Sequence, residues 1–491
     1  MNARTSSTAP VAVIGAGPIG LAAAAHLVQR GLPVVMFEAG DGVAANLDSY
    51  RHVRLFSPWC YNVDRASRAL LADAGEQVPE DDSLPTAGDL VDQYLAPLAR
   101  TPQIAPHVHF RSRVIAISRA GFDKAKTAGR EGSEFLLQVQ TNQGVREERA
   151  SAVIDASGTW SQPNPLGVHG LHAAGEVEAR ERIVYGMPDI LGRDRARYAG
   201  RKVLVVGAGH SAAGNLLALA ALAEQAPGTR VAWAVRGKDL RLLFGGGEND
   251  GLPARGEIGT RLRKLVGSKR LEVHLGFGVR EIQLLDKGLR IFAADATKAP
   301  VDGIDQIVAA TGARPDLGLG RELRLRFDPW LESTDALAPL IDPNVHSCGT
   351  VRPHGHRELA HPEPGFFAIG AKSYGRAPNF LMATGYEQAR SVVAALAGDM
   401  RAADDVQLEL PRTGVCSTDF ATVDDASGAA GCCGGPAKVD ASACCALDEA
   451  KKLEGETGCG CGKPAALPAE VASAAVGAPA LAKATAGACC G

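Results

Sequence analysis

The chain has 491 residues, 46% of them apolar and 22% charged, which excludes wholesale disorder and leaves room for about three domains' worth of structure. Its 52 Lys and Arg against 55 Asp and Glu give a net charge of −3, so no basic field draws it to nucleic acid or to an anionic membrane surface. The longest early apolar stretch, Leu21 to Val28, is too short to span a bilayer and no cleavage site follows the first apolar run, so the expected location is the cytoplasm.

In chain order, the first predicted element is a buried strand at Pro10–Ile14. It runs straight into Gly15-Ala16-Gly17-Pro18-Ile19-Gly20 and an Ala/Leu-rich helix that stops at Arg30-Gly31. A second apolar run, Pro33 to Phe37, ends in Glu38. Strand, glycine turn, helix and acid together form the dinucleotide-binding fingerprint. Gly15 is expected to make the tight turn, Gly17 to let a pyrophosphate approach the backbone, and Gly20 to let helix and strand pack closely, with Pro18 opening the helix. A helix N-terminus favours the phosphates, while a carboxylate at Glu38 accepts from ribose hydroxyls and repels a 2′-phosphate. This site therefore wants FAD or NAD.

The pattern returns at Arg201–Val206, followed by Gly207-Ala208-Gly209-His210-Ser211-Ala212 and another Ala/Leu helix. Its next predicted strand, Arg230 to Val235, ends in Arg236, a guanidinium suited to a 2′-phosphate, with Lys238 close by. Acid at the first site and base at the second read as FAD and NADPH respectively. Two further strands, Ala152–Asp155 before Ala156-Ser157-Gly158 and Gln306–Ala310 before Thr311-Gly312, stand where the chain would cross between two domains. Gly365–Gly370 is a return strand and its loop, and Thr384-Gly385 opens a helix to about Leu396 whose positive end would stabilise a reduced flavin. Lys372 and Arg376, beside that strand, are candidates to position NADPH or an anionic substrate.

The predicted architecture is α/β, with two Rossmann-like dinucleotide-binding domains. An FAD domain at 8–165 and 316–405 is split around an NADPH domain at 166–315, and a flexible Cys-rich tail covers 406–491, with a short helix near Ala446–Leu453. Of the 11 Cys only Cys60 and Cys348 precede the tail, isolated from each other in sequence, so no redox dithiol is expected beside the flavin. The tail holds Cys416, the vicinal pairs Cys432-Cys433, Cys444-Cys445 and Cys489-Cys490, and Cys459 with Cys461. Adjacent Cα atoms lie only ~3.8 Å apart, so such pairs resist relaxed disulfides and suit a thiophilic centre instead. Trivalent arsenic or antimony, mercury, Cu(I) and zinc are all admitted. His346, Cys348, His354, His356 and His361 crowd one region without a standard ligand spacing, and are expected to line the flavin entrance or to sit in solvent. His26 and His210 fall on helices with no partner visible in sequence.

On Gly15–Gly20 with Glu38, Gly207–Ala212 with Arg236, Asp155–Gly158 through Pro165, and Thr311-Gly312, the chain resembles the two-dinucleotide-binding-domain flavoproteins, and among them the FAD- and NADPH-dependent monooxygenases. The resemblance spans about residues 10–400 and implies hydride transfer from NADPH to FAD and onward transfer to oxygen or another acceptor, acting on a small-molecule substrate. Where those monooxygenases carry a Phe-x-Gly-x-x-x-His stretch, this chain has Tyr185 and Gly186 but Ile190 in the His position. The loop Ser373–Pro378 and the Cys tail look like the flavoproteins encoded in arsenic-resistance operons, which implies a trivalent arsenic partner for the tail. A flavoprotein reductase, or a metalloid-binding and delivery protein without monooxygenation, is the alternative.

Overall fold

The computed structural model describes residues 9–79, 82–245, 250, 252–346 and 351–408. Cys348 and the whole Cys-rich tail from Cys416 onward, with its expected helix at 446–453, lie outside the described residues.

Short apolar runs become strands wherever both faces are covered. The first part of the chain supplies β1 (Val11–Ile14), β2 (Val34–Phe37), β3 (Val108–His109), β4 (Arg113–Arg119), β5 (Phe135–Thr141), β6 (Gly144–Ala150) and β7 (Ala152–Asp155). The middle supplies β8 (Ile183–Tyr185), β9 (Lys202–Val206), β10 (Arg230–Val235), β11 (Leu271–Leu275), β12 (Val279–Leu284), β13 (Leu289–Ala293), β14 (Val301–Ile304) and β15 (Gln306–Ala309), and β16 (Phe366–Ala368) follows. Two parallel five-stranded sheets result, in the orders β16-β7-β1-β2-β3 and β11-β10-β9-β15-β8.

Each sheet is built to the same plan. All four residues of β1 are buried, because the strand has neighbours on both sides and layers on both faces. One face packs the helix Pro18–Gln29, whose run of buried alanines lets it lie close to the sheet and to the helix Met382–Leu396. The other face is closed by the antiparallel layer β4-β5-β6, through Val114, Ile117, Phe135 and Leu137. In the second sheet the helices His210–Gln225 and Pro253–Gly267 cover one face, and β12-β13-β14 covers the other. In register, Ile14 stands level with both Phe37 and Asp155, so three strand ends meet on one edge, the crevice where α/β sheets bind ligands.

The two connections between the sheets run side by side. Pro163 and Ala313 form an antiparallel bridge. Asn164 N–H donates to Gly312 O at 2.9 Å and Arg314 N–H to Gln162 O at 3.0 Å. Thr311 Oγ1 donates to Asn164 O, and Asn164 Nδ2 returns a bond to Thr311 O at 3.1 Å.

The buried histidines correct the expectation of a solvent-facing group. His354, His356 and His361 are only 3%, 8% and 9% exposed. Among the described residues no cluster of three or more His, Cys, Asp or Glu is arranged to hold a metal ion. His26 also has a partner, Asp64 Oδ1 at 3.0 Å, which sequence did not disclose. Burial between Phe327 and Phe366 pushes the His361 imidazole down to about 4. The folded value lies below the unfolded one near 6.5, so the stabilisation is full above that pH and is lost as pH falls toward 4, by about 3 kcal/mol in all. Urea unfolding at pH 7.5 and pH 5 should therefore show a smaller acid-side loss in His361→Phe than in the wild type, by ~2 kcal/mol. Equal losses in the two proteins would refute this.

Candidate active site

At the first fingerprint Gly15 adopts φ +95°, and a Cβ there would lie 2.9 Å from Ala156 O, so turn and neighbouring strand end fit only around glycine. A Cβ on Gly20 would sit 2.0 Å from Gly15 O, which fixes how closely the helix approaches the turn. At Gly17 nothing lies within 4 Å of the Cβ position, leaving the backbone open to an incoming phosphate. Pro18 is the first residue of the helix. Glu38, 9% exposed, receives the Ala16 N–H on Oε2 and the Gly40 N–H on Oε1, each at 2.7 Å. These two bonds fix the carboxylate and leave each oxygen a further lone pair for a ribose hydroxyl. The residues present fit FAD.

The second cradle repeats this geometry. Gly207 has φ +137°, and its Cβ would lie 2.1 Å from Ala310 O. Gly209, just before the helix His210–Gln225, again faces open space. Ser211 is half-buried in the first turn and Ala212 is fully buried in the helix–sheet core. Trp233 Nε1 donates to Gly207 O at 2.8 Å and holds the turn from below. Arg236 lies exposed at the end of β10. A backbone cradle with an exposed guanidinium beyond it fits a coenzyme that carries a 2′-phosphate.

The remaining predicted positions gather near the strand ends and connections. Gly158, at φ +71°, follows Ala156-Ser157 beside the first turn, and Thr311 and Gly312 lie in the paired connections. Gly370, at φ +71°, packs on Ile19 of the first helix, and its N–H donates to Gln388 Oε1 at 2.7 Å. The helix expected to open at Thr384-Gly385 begins at Met382.

Two cations have other tasks than the sequence implied. Lys372 is buried, with Nζ 2.6 Å from Asp155 Oδ2 and 3.0 Å from Ser157 Oγ, so it is not free to meet an anionic ligand. Arg376 pairs with Glu332 at 3.4 Å. Ile190 is 1% exposed and belongs to the second domain's core, while Tyr185 donates its hydroxyl to the buried Glu176.

Two aromatic contacts escaped the sequence reading. Phe56, between β2 and β3, packs on the His210 ring with centroids 5.3 Å apart, and the Arg255 guanidinium lies 5.9 Å from the centroid of the Phe56 ring. It thereby places a side chain of the first domain against the opening of the second cradle. Trp160, in the first connection, packs on Tyr50 at 4.6 Å and donates Nε1–H to Ser49 Oγ at 3.0 Å. A Cβ on Gly186 would meet its ring at 3.1 Å, so Trp160 fills the seam between the domains. A lone tryptophan within Ser157–Ser161, a turn otherwise of small residues, was the available signal; Phe56 had none.

The sequence profile of the family described as pyridine nucleotide-disulphide oxidoreductase matches residues 12–347, more than half of the chain. No curated protein matches it. Among solved structures, the bacillithiol disulfide reductase of Bacillus cereus is 19% identical, with a TM-score of 0.58 over 79% of this chain and 99% of that one. The FAD-bound cadaverine monooxygenase of Erwinia amylovora is 14% identical, with a TM-score of 0.57 over 82% and 97%. The ornithine N-hydroxylase of Kutzneria sp. 744 is 16% identical, with a TM-score of 0.53 over 80% and 100%. At these identities the likeness is one of fold.

Proposed function

The chain belongs to the pyridine nucleotide-disulphide oxidoreductase family, and from that premise we propose an FAD- and NADPH-dependent oxidoreductase of monooxygenase type acting on a small-molecule substrate. The observation that carries this reading is the contrast between the two cradles: a fixed carboxylate, Glu38, at one and an exposed guanidinium, Arg236, at the other. When bound, the flavin accepts hydride from NADPH and passes electrons on, in a monooxygenase to oxygen. The chain's part is to hold both nucleotides by their phosphates and riboses and to exclude water with Phe56 and Trp160 at the seam. Fold likeness to both monooxygenases and a disulfide reductase keeps a second reading, an NADPH-dependent reductase without oxygenation. The environment of Cys60 speaks against a thiol mechanism there. Its sulfur lies 3.9 Å from Asp82 Oδ1, and partial burial together with that carboxylate pushes the thiol up, away from the reactive thiolate.

The thiol pairs Cys432-Cys433, Cys444-Cys445 and Cys489-Cys490, with Cys459 and Cys461, support a metalloid-capturing role in a reducing cytoplasm, with trivalent arsenic the favoured cargo. One set of measurements tests the whole reading. The purified protein should be yellow and oxidise NADPH about tenfold or more efficiently than NADH, since a 2′-phosphate adds charge-assisted bonds. Oxygen uptake without stoichiometric peroxide release in the presence of substrate marks oxygenation, and uptake lost wholly to peroxide sinks it. Removing residues 412–491 should abolish arsenite binding; unchanged NADPH oxidation together with unchanged arsenite resistance refutes the tail's role.

A further inference from the structure

The turn that closes β10 carries Arg236, Gly237 and Lys238, all exposed. Gly276, just after β11, donates its N–H to Gly237 O at 2.8 Å, and Phe277 donates to Val235 O at 2.8 Å, so the segment after β11 lies along this turn. A Cβ on Gly276 would stand 3.8 Å from both Cε and Nζ of Lys298. Lys298 belongs to the connection between β13 and β14, remote in sequence, yet its ammonium reaches the end of β10.

Two devices hold it there. Ala294 N–H donates to Gly278 O at 2.8 Å, tying the connection to the segment that begins at Gly276. Asp295 accepts the Thr297 N–H at 3.0 Å and the Thr297 hydroxyl at 2.7 Å, while Lys298 N–H closes the turn on Asp295 O at 3.1 Å. The Asp295 carboxyl is held below its usual range by the Thr297 bonds first, and then by the fields of Lys298 and Lys238. Both ammonium groups favour its charged form. Among the described residues, none of Arg236, Lys238 and Lys298 is in an ion pair. Three cations around one open turn outnumber the two exposed acids beside it, Asp239 and Asp295, and suit a dianion better than a neutral ribose: the guanidinium meets it as a planar fork and the ammonium groups as point charges.

We propose that Lys298 is a specificity-determining residue for the coenzyme, receiving the 2′-phosphate of the adenosine ribose together with Arg236 and Lys238. This rests on the NADPH reading of the second cradle. Calorimetric titration of the full-length holoprotein with adenosine 2′,5′-bisphosphate and with adenosine 5′-monophosphate tests it without turnover. The wild type should bind the bisphosphate about tenfold tighter than the monophosphate. Lys298→Ala should weaken the bisphosphate about three- to fivefold and leave the monophosphate unchanged, and Lys298→Arg should restore most of the loss. Lys298 is exposed, so these changes do not threaten the fold. If Arg236→Ala removes the preference while Lys298→Ala keeps it in full, this proposal is overturned and the coenzyme reading stands. A wild type that shows no preference overturns both.

Discussion

Lys372→Met should lower the free energy of unfolding by ~3–5 kcal/mol, the cost of leaving one member of a buried ion pair without its partner. Lys372 and Asp155 have side chains only 4% and 2% exposed, and their charges lie 2.6 Å apart. Asp155 Oδ1 also accepts the Ser157 N–H at 3.1 Å and the Ser157 hydroxyl at 2.6 Å, which leaves Lys372 to neutralise the other oxygen. Asp155 stands level with Ile14, the last residue before the first glycine turn, so its relaxation would reach the FAD cradle. Urea unfolding followed by circular dichroism measures the loss. Adding Asp155→Asn to Lys372→Met removes the stranded charge and should recover a large part of it. A single variant within about 1 kcal/mol of wild type, the scale of an exposed pair, would mean the pair is not buried in solution.

Glu38→Ala should weaken FAD binding by about two orders of magnitude, or ~3 kcal/mol, because two charge-assisted bonds to the ribose disappear together. The effect extends to the cradle itself, where the Ala16 and Gly40 N–H groups lose the acceptors that hold them at 2.7 Å. Glu38→Gln keeps one oxygen and should fall between wild type and Glu38→Ala. Flavin content after purification and fluorescence titration of the apoprotein with FAD provide the readout. A Glu38→Ala protein that emerges fully loaded would remove the carboxylate from the argument and the first cradle's assignment with it.

What could be read in the sequence was what is written in adjacent residues. Gly15 and Gly20 take the backbone positions their spacing predicts, and Gly207 repeats the turn, because each motif sits within one strand–turn–helix unit. Glu38 and Arg236 follow the next strand of each unit, so their places too were legible. Side-chain partners were not. Lys372 looked like a free cation because its acid, Asp155, is 217 positions away. Arg130 and Arg119 converge on Glu363, 233 and 244 positions distant, to pin the layer β4-β5-β6 against the segment before β16. Nothing local announced either. The histidines suggested a solvent-facing or entrance role because sequence shows their crowding but not the layers that cover them. Lys298 was invisible for the same reason: only the path of β12, β13 and β14 brings it to Arg236's turn.

The laced connections at Pro163 and Ala313 hold the molecule as two straps drawn through one buckle. Because both straps are fastened at the same place, the chain passes to the second sheet and back along one line. Trp160, set against Gly186 near that line, fills the space beside the buckle. A smaller side chain in place of that indole would leave the gap beside Gly186 unfilled.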